Sequence, residues 1–273
     1  MRLAVSCLAW TVVECDDVAI ALRRHGASGI EIVPTGLWGD WDRALAAQPA
    51  DIPAPLSGFA RPSMQSLVFG LPDHKLFGTP EAEDRLVDHL GRLIDMAGRL
   101  GVRALVFGSP KNRLRGELSP AAAVDRFERF AERLAPRAAA VGALLCLEAN
   151  PTRYGCDFVT GTPELVEVFE RIRRPGLGLH FDTGAALINE EDLPDLIRRV
   201  GPALDHFHVS EPGLATFGSA SDRHAAFAAA LREINYRHWV SIEMLRGPRG
   251  IADLDEALRF VARTYGPFEG DAA

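Results

Sequence analysis

Four side chains in the second half of the chain, Glu148, Asp182, His208 and Glu243, have the types and spacing to hold a divalent cation. Each is the last strongly polar residue of an otherwise apolar run: ALLCLEAN (143–150), GLGLHFDTG (176–184), LDHFHVSEP (204–212) and HWVSIEM (238–244). An acid at the end of a buried strand is costly to desolvate alone. Three converging carboxylates would also repel and raise one another's pKa values. Three carboxylates and one imidazole instead make a shell for a hard or borderline ion, namely Mn²⁺, Mg²⁺ or Co²⁺, with Zn²⁺ also compatible. Asn150, Ser210 and Glu211 lie close by in sequence and are candidates to steady the ligands or touch a substrate. His180 and His206 share the inward side by the period-2 rule, one layer deeper, and read as core residues.

These residues can meet only if neighbouring strands bring their ends together. The first half of the chain supplies four more strand signals: LAVSCLAW (3–10), GIEIVPTG (29–36), PSMQSLVFG (62–70) and RALVFGSPKNR (103–113). Helical patterns separate all eight. From Pro80 to Leu100, Leu86, Leu90, Leu93, Ile94 and Ala97 share one face, and Gly101 follows as a C-cap. Ser119-Pro120 opens another long helix as N-cap and first helical residue. Shorter helices are expected at about 14–25, 38–47, 162–174, 192–200, 222–234 and 253–263.

Apolar strands alternating with amphipathic helices imply parallel pairing through crossovers. Eight such units predict an α/β fold, a closed (β/α)8 TIM barrel forming one domain over residues 1–273. An open doubly wound sheet would want a Gly-rich phosphate loop after the first strand, and Ala9-Trp10-Thr11 offers none. In a barrel the chemistry lies at the C-terminal strand ends. Read in turn, those ends carry Glu31, Gln65, Ser109, Glu148, Asp182, His208 and Glu243. The four metal candidates fall on the fifth to eighth strands, on one arc of the rim.

The fourth-strand loop adds Lys111 and Arg113 beside turn-forming Gly108, Ser109 and Pro110, a candidate clamp for a substrate phosphate or carboxylate. Trp10, Trp38 and Phe107 lie at or just beyond strand ends and are candidates for an apolar, sugar-facing wall. The net charge of -7, with both signs mixed along the chain, argues against nucleic acid and anionic membrane as partners. Cys7, Cys15, Cys146 and Cys156 show no Cys-x-x-Cys spacing and read as reduced thiols. There is no basic-then-apolar leader and no apolar run near the roughly 20 residues of a membrane span, so the expectation is a soluble, cytoplasmic protein. Its partner is a small molecule, and homo-oligomerisation is left open.

With LCLEAN, HFDTG, HFHVSEP and SIEM in place, the whole chain resembles the xylose isomerase-like TIM barrels of the sugar phosphate isomerase/epimerase family. The resemblance implies one divalent ion held by Glu148, Asp182, His208 and Glu243. It also implies that Glu148 and Glu243 form the acid/base pair of a ketose 3-epimerase, acting through an enediolate. Three positions depart from that branch: Ala185 replaces a His, Leu214 an Arg and Tyr154 a Glu, and those residues hold the reacting end of a free ketose. A metal-dependent isomerase or epimerase is therefore the leading reading. A lyase or dehydratase acting on a keto-sugar or cyclitol, an AP-endonuclease-type nuclease and a non-catalytic metabolite-binding barrel are the alternatives.

Overall fold

A computed structural model describes residues 1–269. The chain opens with β1 (Arg2–Ser6), α1 (Cys15–Arg24), β2 (Gly29–Glu31), α2 (Pro34–Trp38), α3 (Trp41–Ala46), β3 (Ser63–Met64), α4 (Pro80–Leu100) and β4 (Ala104–Phe107). It continues with α5 (Pro120–Ala140), β5 (Leu144–Leu147), α6 (Thr162–Ile172), β6 (Leu177–Asp182), α7 (Thr183–Ile188) and α8 (Leu193–Val200). β7 (Leu204–Ser210), α9 (His224–Glu233), β8 (Trp239–Glu243) and α10 (Ile251–Tyr265) complete it. Every ladder is parallel, in the order β2-β1-β8-β7-β6-β5-β4-β3. Bridges Gly29–Ala60 and Ile32–Met64 join the two end strands, so the ring closes as a barrel.

The long helices form where their caps require. Thr79 Oγ1 accepts the Ala82 amide before α4, Ser119 Oγ accepts the Ala122 amide before α5, and each helix has Pro at its first position. The α4 face read from the sequence is buried, and Gly101 stops the helix at φ 70°. On β7, His206, His208 and Ser210 alternate with Phe207 and Val209. Phe207 packs outward onto Tyr265 of α10, so the polar set faces the barrel interior.

The strands are shorter than the apolar runs suggest. β1 stops at Ser6 because Ser6 Oγ accepts the Leu8 amide and Cys7–Ala9 tighten into a 3₁₀ turn. In the second run, Pro34 and Gly36, which as turn-forming residues end the strand, fall in the short helix α2. β3 keeps only two ladder residues, and Ser66 turns the chain at φ 57°. The weak helix expected over 38–47 is α3, which begins only at Trp41 because Gly39 at φ 86° ends α2 first. All four cysteines are buried and free. Among the described residues no helix is long and apolar enough to cross a membrane.

Candidate metal centre

The strand register sets the side chains in layers. Asp182 pairs with His208 across β6 and β7, and Ser210 with Glu243 across β7 and β8. His208 is fully buried at the centre of this group. Its Nδ1 lies 3.2 Å from Glu243 Oε2 and 3.7 Å from Glu148 Oε1, so the two carboxylates flank one ring nitrogen. Oxygen and nitrogen atoms of Glu148, His208 and Glu243 all fall within 4.8 Å of one another, a spacing that a single cation can span. Glu148, Asp182 and Glu243 open onto a cavity of about 1040 Å³ at the C-terminal strand ends.

On its other side, His208 Nε2 donates to Glu31 Oε2 at 2.8 Å. Glu31 is fully buried and also accepts from Ser63 Oγ at 2.5 Å and Gln65 Nε2 at 2.7 Å, with His206 Nε2 at 3.2 Å. Burial opposes ionisation of Glu31, but the charges and hydrogen bonds of His208 and His206 outweigh it and hold the carboxyl well below its ordinary range. His208 moves the opposite way. Burial works against its charge, and the Glu31 and Glu243 carboxylates raise it well above the ordinary imidazole value.

Glu148 accepts from Asn150 Nδ2 at 2.8 Å and meets His180 Nε2 at 3.3 Å. Burial would raise this carboxyl, yet its contact with His180 and the charge of His208 bring it below the ordinary value. Glu243 is raised, first by burial and then, against the pull of His208, by Glu148 and Glu31. Asp182 stands slightly apart. Its Oδ1 accepts the Ala185 amide at 2.6 Å, capping α7, and its Oδ2 accepts from Ser210 Oγ at 2.5 Å. Burial, and then Glu243 and Glu148, push Asp182 up to about 7. Negative charge is crowded here, and a cation would relieve it.

A second set of convergent donors, His180, His206 and His208, lies among buried rings. The His180 and His206 rings stack at 5.4 Å, and burial pushes His180 down to about 4. None of the three histidines lines the cavity. That agrees with the reading of His180 and His206 as a deeper layer.

The family model described as "Xylose isomerase-like TIM barrel" matches residues 20–264. The chain belongs to this family. A ketose 3-epimerase of Arthrobacter globiformis is 27% identical over 172 residues, 62% of this chain, and the match spans 58% of that relative's length. Among solved structures of the same fold, 3-keto-D-glucoside 4-epimerase YcjR from E. coli superposes with a TM-score of 0.76 at 17% identity, covering 97% of this chain and 99% of its own. D-psicose 3-epimerase with D-tagatose from Clostridium cellulolyticum H10 gives 0.75 at 16% identity, covering 98% and 100%.

Within this family barrel, several residues expected to meet the substrate lie elsewhere. Arg113 is fully buried, and its guanidinium donates to the carbonyls of Gly108 at 2.6 Å, of Glu148 at 2.6 Å and of Phe158. It therefore ties the ends of β4 and β5 together and has no donor face turned to the cavity. Glu211 points away, accepting from the Ser221 amide at 2.7 Å and pairing with His224 Nε2 of α9 at 3.0 Å. Trp10 and Phe107 are buried in the core, Trp38 is half-buried, and none of the three lines the cavity. The 3₁₀ turn after β1 draws Trp10 inward, and Phe107 packs towards Phe130 of α5.

Lys111 and Asn150 do line the cavity, and so do Tyr154, Ala185 and Leu214, the three departures from the ketose 3-epimerase pattern. Tyr154 turns its hydroxyl to accept the Gly213 amide at 2.7 Å. Sequence reasoning missed Lys75 and Phe69, which also reach the cavity from the loop after β3. It noted Glu31 only as a strand-end residue. The signal for Glu31 was available: like Glu148, it is an acid ending an apolar strand.

Proposed function

We propose that this chain is a divalent-metal-dependent epimerase or isomerase of a sugar or sugar-like hydroxy-ketone. The observation that carries the reading is a pair of carboxylates, Glu148 and Glu243, on either side of His208 Nδ1 at the floor of an open cavity. The sugar epimerases among its relatives support the same reaction class. Glu148, Asp182, His208 and Glu243 would hold the ion, and the oxygen-rich donor set suits Mn²⁺, Mg²⁺, Co²⁺ or Zn²⁺. When bound, the ion supplies Lewis acidity, polarising the substrate carbonyl and stabilising an enediolate.

The chain's own groups manage the proton. Glu148 and Glu243 approach the substrate carbon from different strands. One takes the proton α to the carbonyl, and the other returns a proton on the opposite face. Asn150 holds Oε2 of Glu148 and so fixes the orientation of the carboxylate. Lys111 and Asn150 would contact the substrate from the cavity wall.

The test is solvent exchange. Ketoses incubated with the Mn²⁺-treated protein in D₂O are expected to gain deuterium at the carbon α to the carbonyl, and chelation to stop the gain. A protein that takes up none of Mn²⁺, Mg²⁺, Co²⁺ or Zn²⁺ would end this reading.

Gly108 gives a second check on the floor. A Cβ there would fall on the Glu148 carboxylate oxygen and lie 3.6 Å from Asn150 Oδ1. Gly108→Ala is therefore expected to push Glu148 out of place and weaken Mn²⁺ binding about 10–100-fold, as loss of a ligand's support does elsewhere. Titration of the variant with Mn²⁺ measures this, and an unchanged affinity would mean that Glu148 tolerates displacement.

A further inference from the structure

We infer that the substrate carries an anionic group, a carboxylate or a phosphate ester, seated between Lys75 and Lys111 and away from the carboxylate floor. The inference rests on the proposed function above and names the class of its substrate. Of the chain's 30 lysines and arginines, only these two are lysines. Both line the one cavity that holds Glu148, Asp182 and Glu243, and no arginine does. Surface ion pairs elsewhere use arginine, as in Arg126–Glu83, Arg198–Glu233 and Arg246–Glu14. Among the described residues neither lysine has an ion-pair or hydrogen-bond partner for its ammonium.

The cavity's own carboxylates are engaged elsewhere: Glu148 with Asn150 and His180, Asp182 with Ser210 and the α7 amide, Glu243 with His208. The two lysines are thus cations left to face the cavity. Their loops form one frame. The Leu76 amide donates to Asn112 O at 2.8 Å, and Asn112 Nδ2 donates to the carbonyls of Leu71 at 2.8 Å and His74 at 2.7 Å. Buried Arg113 roots that frame on the Glu148 carbonyl, so the lysine wall and the carboxylate floor are held by one set of bonds.

Elsewhere on the wall, Tyr154, Ala185 and Leu214 offer no charge. A ligand with a hydroxy-ketone at one end and an anion at the other has a single sensible orientation here. Lysine, a point charge on a flexible stem, suits an anion of either geometry.

Calorimetric titration of the full chain, with and without Mn²⁺, compares three ligands sharing one ketose head: D-fructose, D-fructuronate and D-fructose 6-phosphate. At least one of the two anions is expected to bind about 10-fold or more tightly than D-fructose. That preference should shrink with added salt and disappear in Lys75→Met/Lys111→Met, which keeps the apolar stems. Whichever anion is preferred tells carboxylate from phosphate. Failure of both anions to bind more tightly than D-fructose, including no binding by any of the three, overturns the inference. So does a preference that survives the double variant. A lysine-dependent preference without deuterium exchange sustains the anion site and removes only the epimerase reading.

Discussion

Glu148→Gln and Glu243→Gln are each expected to lose epimerisation by about 10²–10⁴-fold while keeping the barrel fold. Both substitutions preserve volume and one carbonyl oxygen, so the hydrogen bond from Asn150 to the residue at 148 has an acceptor to keep. What disappears is a group able to take or return a proton. Two bases on opposite faces predict more than loss of turnover. With one base removed, the other can still exchange the proton of the epimer that presents its C–H to it. Glu243→Gln should therefore leave deuterium exchange in one epimer only, and Glu148→Gln in the other. Exchange abolished for both epimers in one variant and untouched in the other would mean a single base.

Both residues are also candidate ligands, so metal content must be measured beside the exchange. A variant that binds Mn²⁺ as the parent does and no longer epimerises isolates the proton-transfer role. One that has lost the ion reports only on the ligand set.

The fold was legible because alternation of apolar strands and capped helices is a local signal, repeated eight times. Ser119-Pro120 marks a helix start that sequence alone identifies, and Gly101 marks a stop. Strand ends were less legible, since Ser6 and Ser66 turn the chain through local hydrogen bonding and positive φ that an apolar run does not reveal. Glu148, His208 and Glu243 could be read because each is an isolated polar residue closing an apolar strand, and parallel register then brings them together. Asp182 lies on the same wall, with its oxygens given to Ser210 and the α7 cap.

The wall of the cavity was read poorly for a physical reason. Gly-Ser-Pro-Lys-Asn-Arg has the composition of an exposed turn, yet the 3₁₀ turn at Pro110–Asn112 leaves Lys111 on the cavity wall and sends Arg113 inward to three carbonyls. Lys75 carries no strand or helix signal of its own. Its loop is brought to that of Lys111 by bonds to Asn112, whose carbonyl accepts the Leu76 amide and whose side chain reaches the carbonyls of Leu71 and His74.

Removing Glu31 should cost the fold heavily. It lies 177 positions from His208 in sequence, and its partners Ser63, Gln65, His206 and His208 come from two other segments of the barrel wall, the β3 stretch and β7. Glu31→Ala would take the Glu31 carboxylate from all four in a space with no water access, leaving Gln65 Nε2 only its bond to Ser6 Oγ at 2.9 Å. Breaking a buried, hydrogen-bonded ion pair from one side costs about 3–5 kcal/mol, so urea unfolding should show a loss of that size. Glu31→Gln keeps an acceptor oxygen and should lose less.

The effect on the site follows from hydrogen-bond polarity. An ionised carboxylate only accepts, so Glu31 requires a proton on His208 Nε2. The other nitrogen, Nδ1, which faces Glu243 and Glu148, is then the one that can exchange its proton for a cation. Without Glu31 that tautomer is no longer enforced, and Mn²⁺ affinity is expected to fall about 10–100-fold. Nitrogen NMR of the His208 ring in Glu31→Gln and Glu31→Asp reads the tautomer directly. A ring that keeps its Nε2 proton and its Mn²⁺ affinity in Glu31→Ala would limit Glu31 to stability alone.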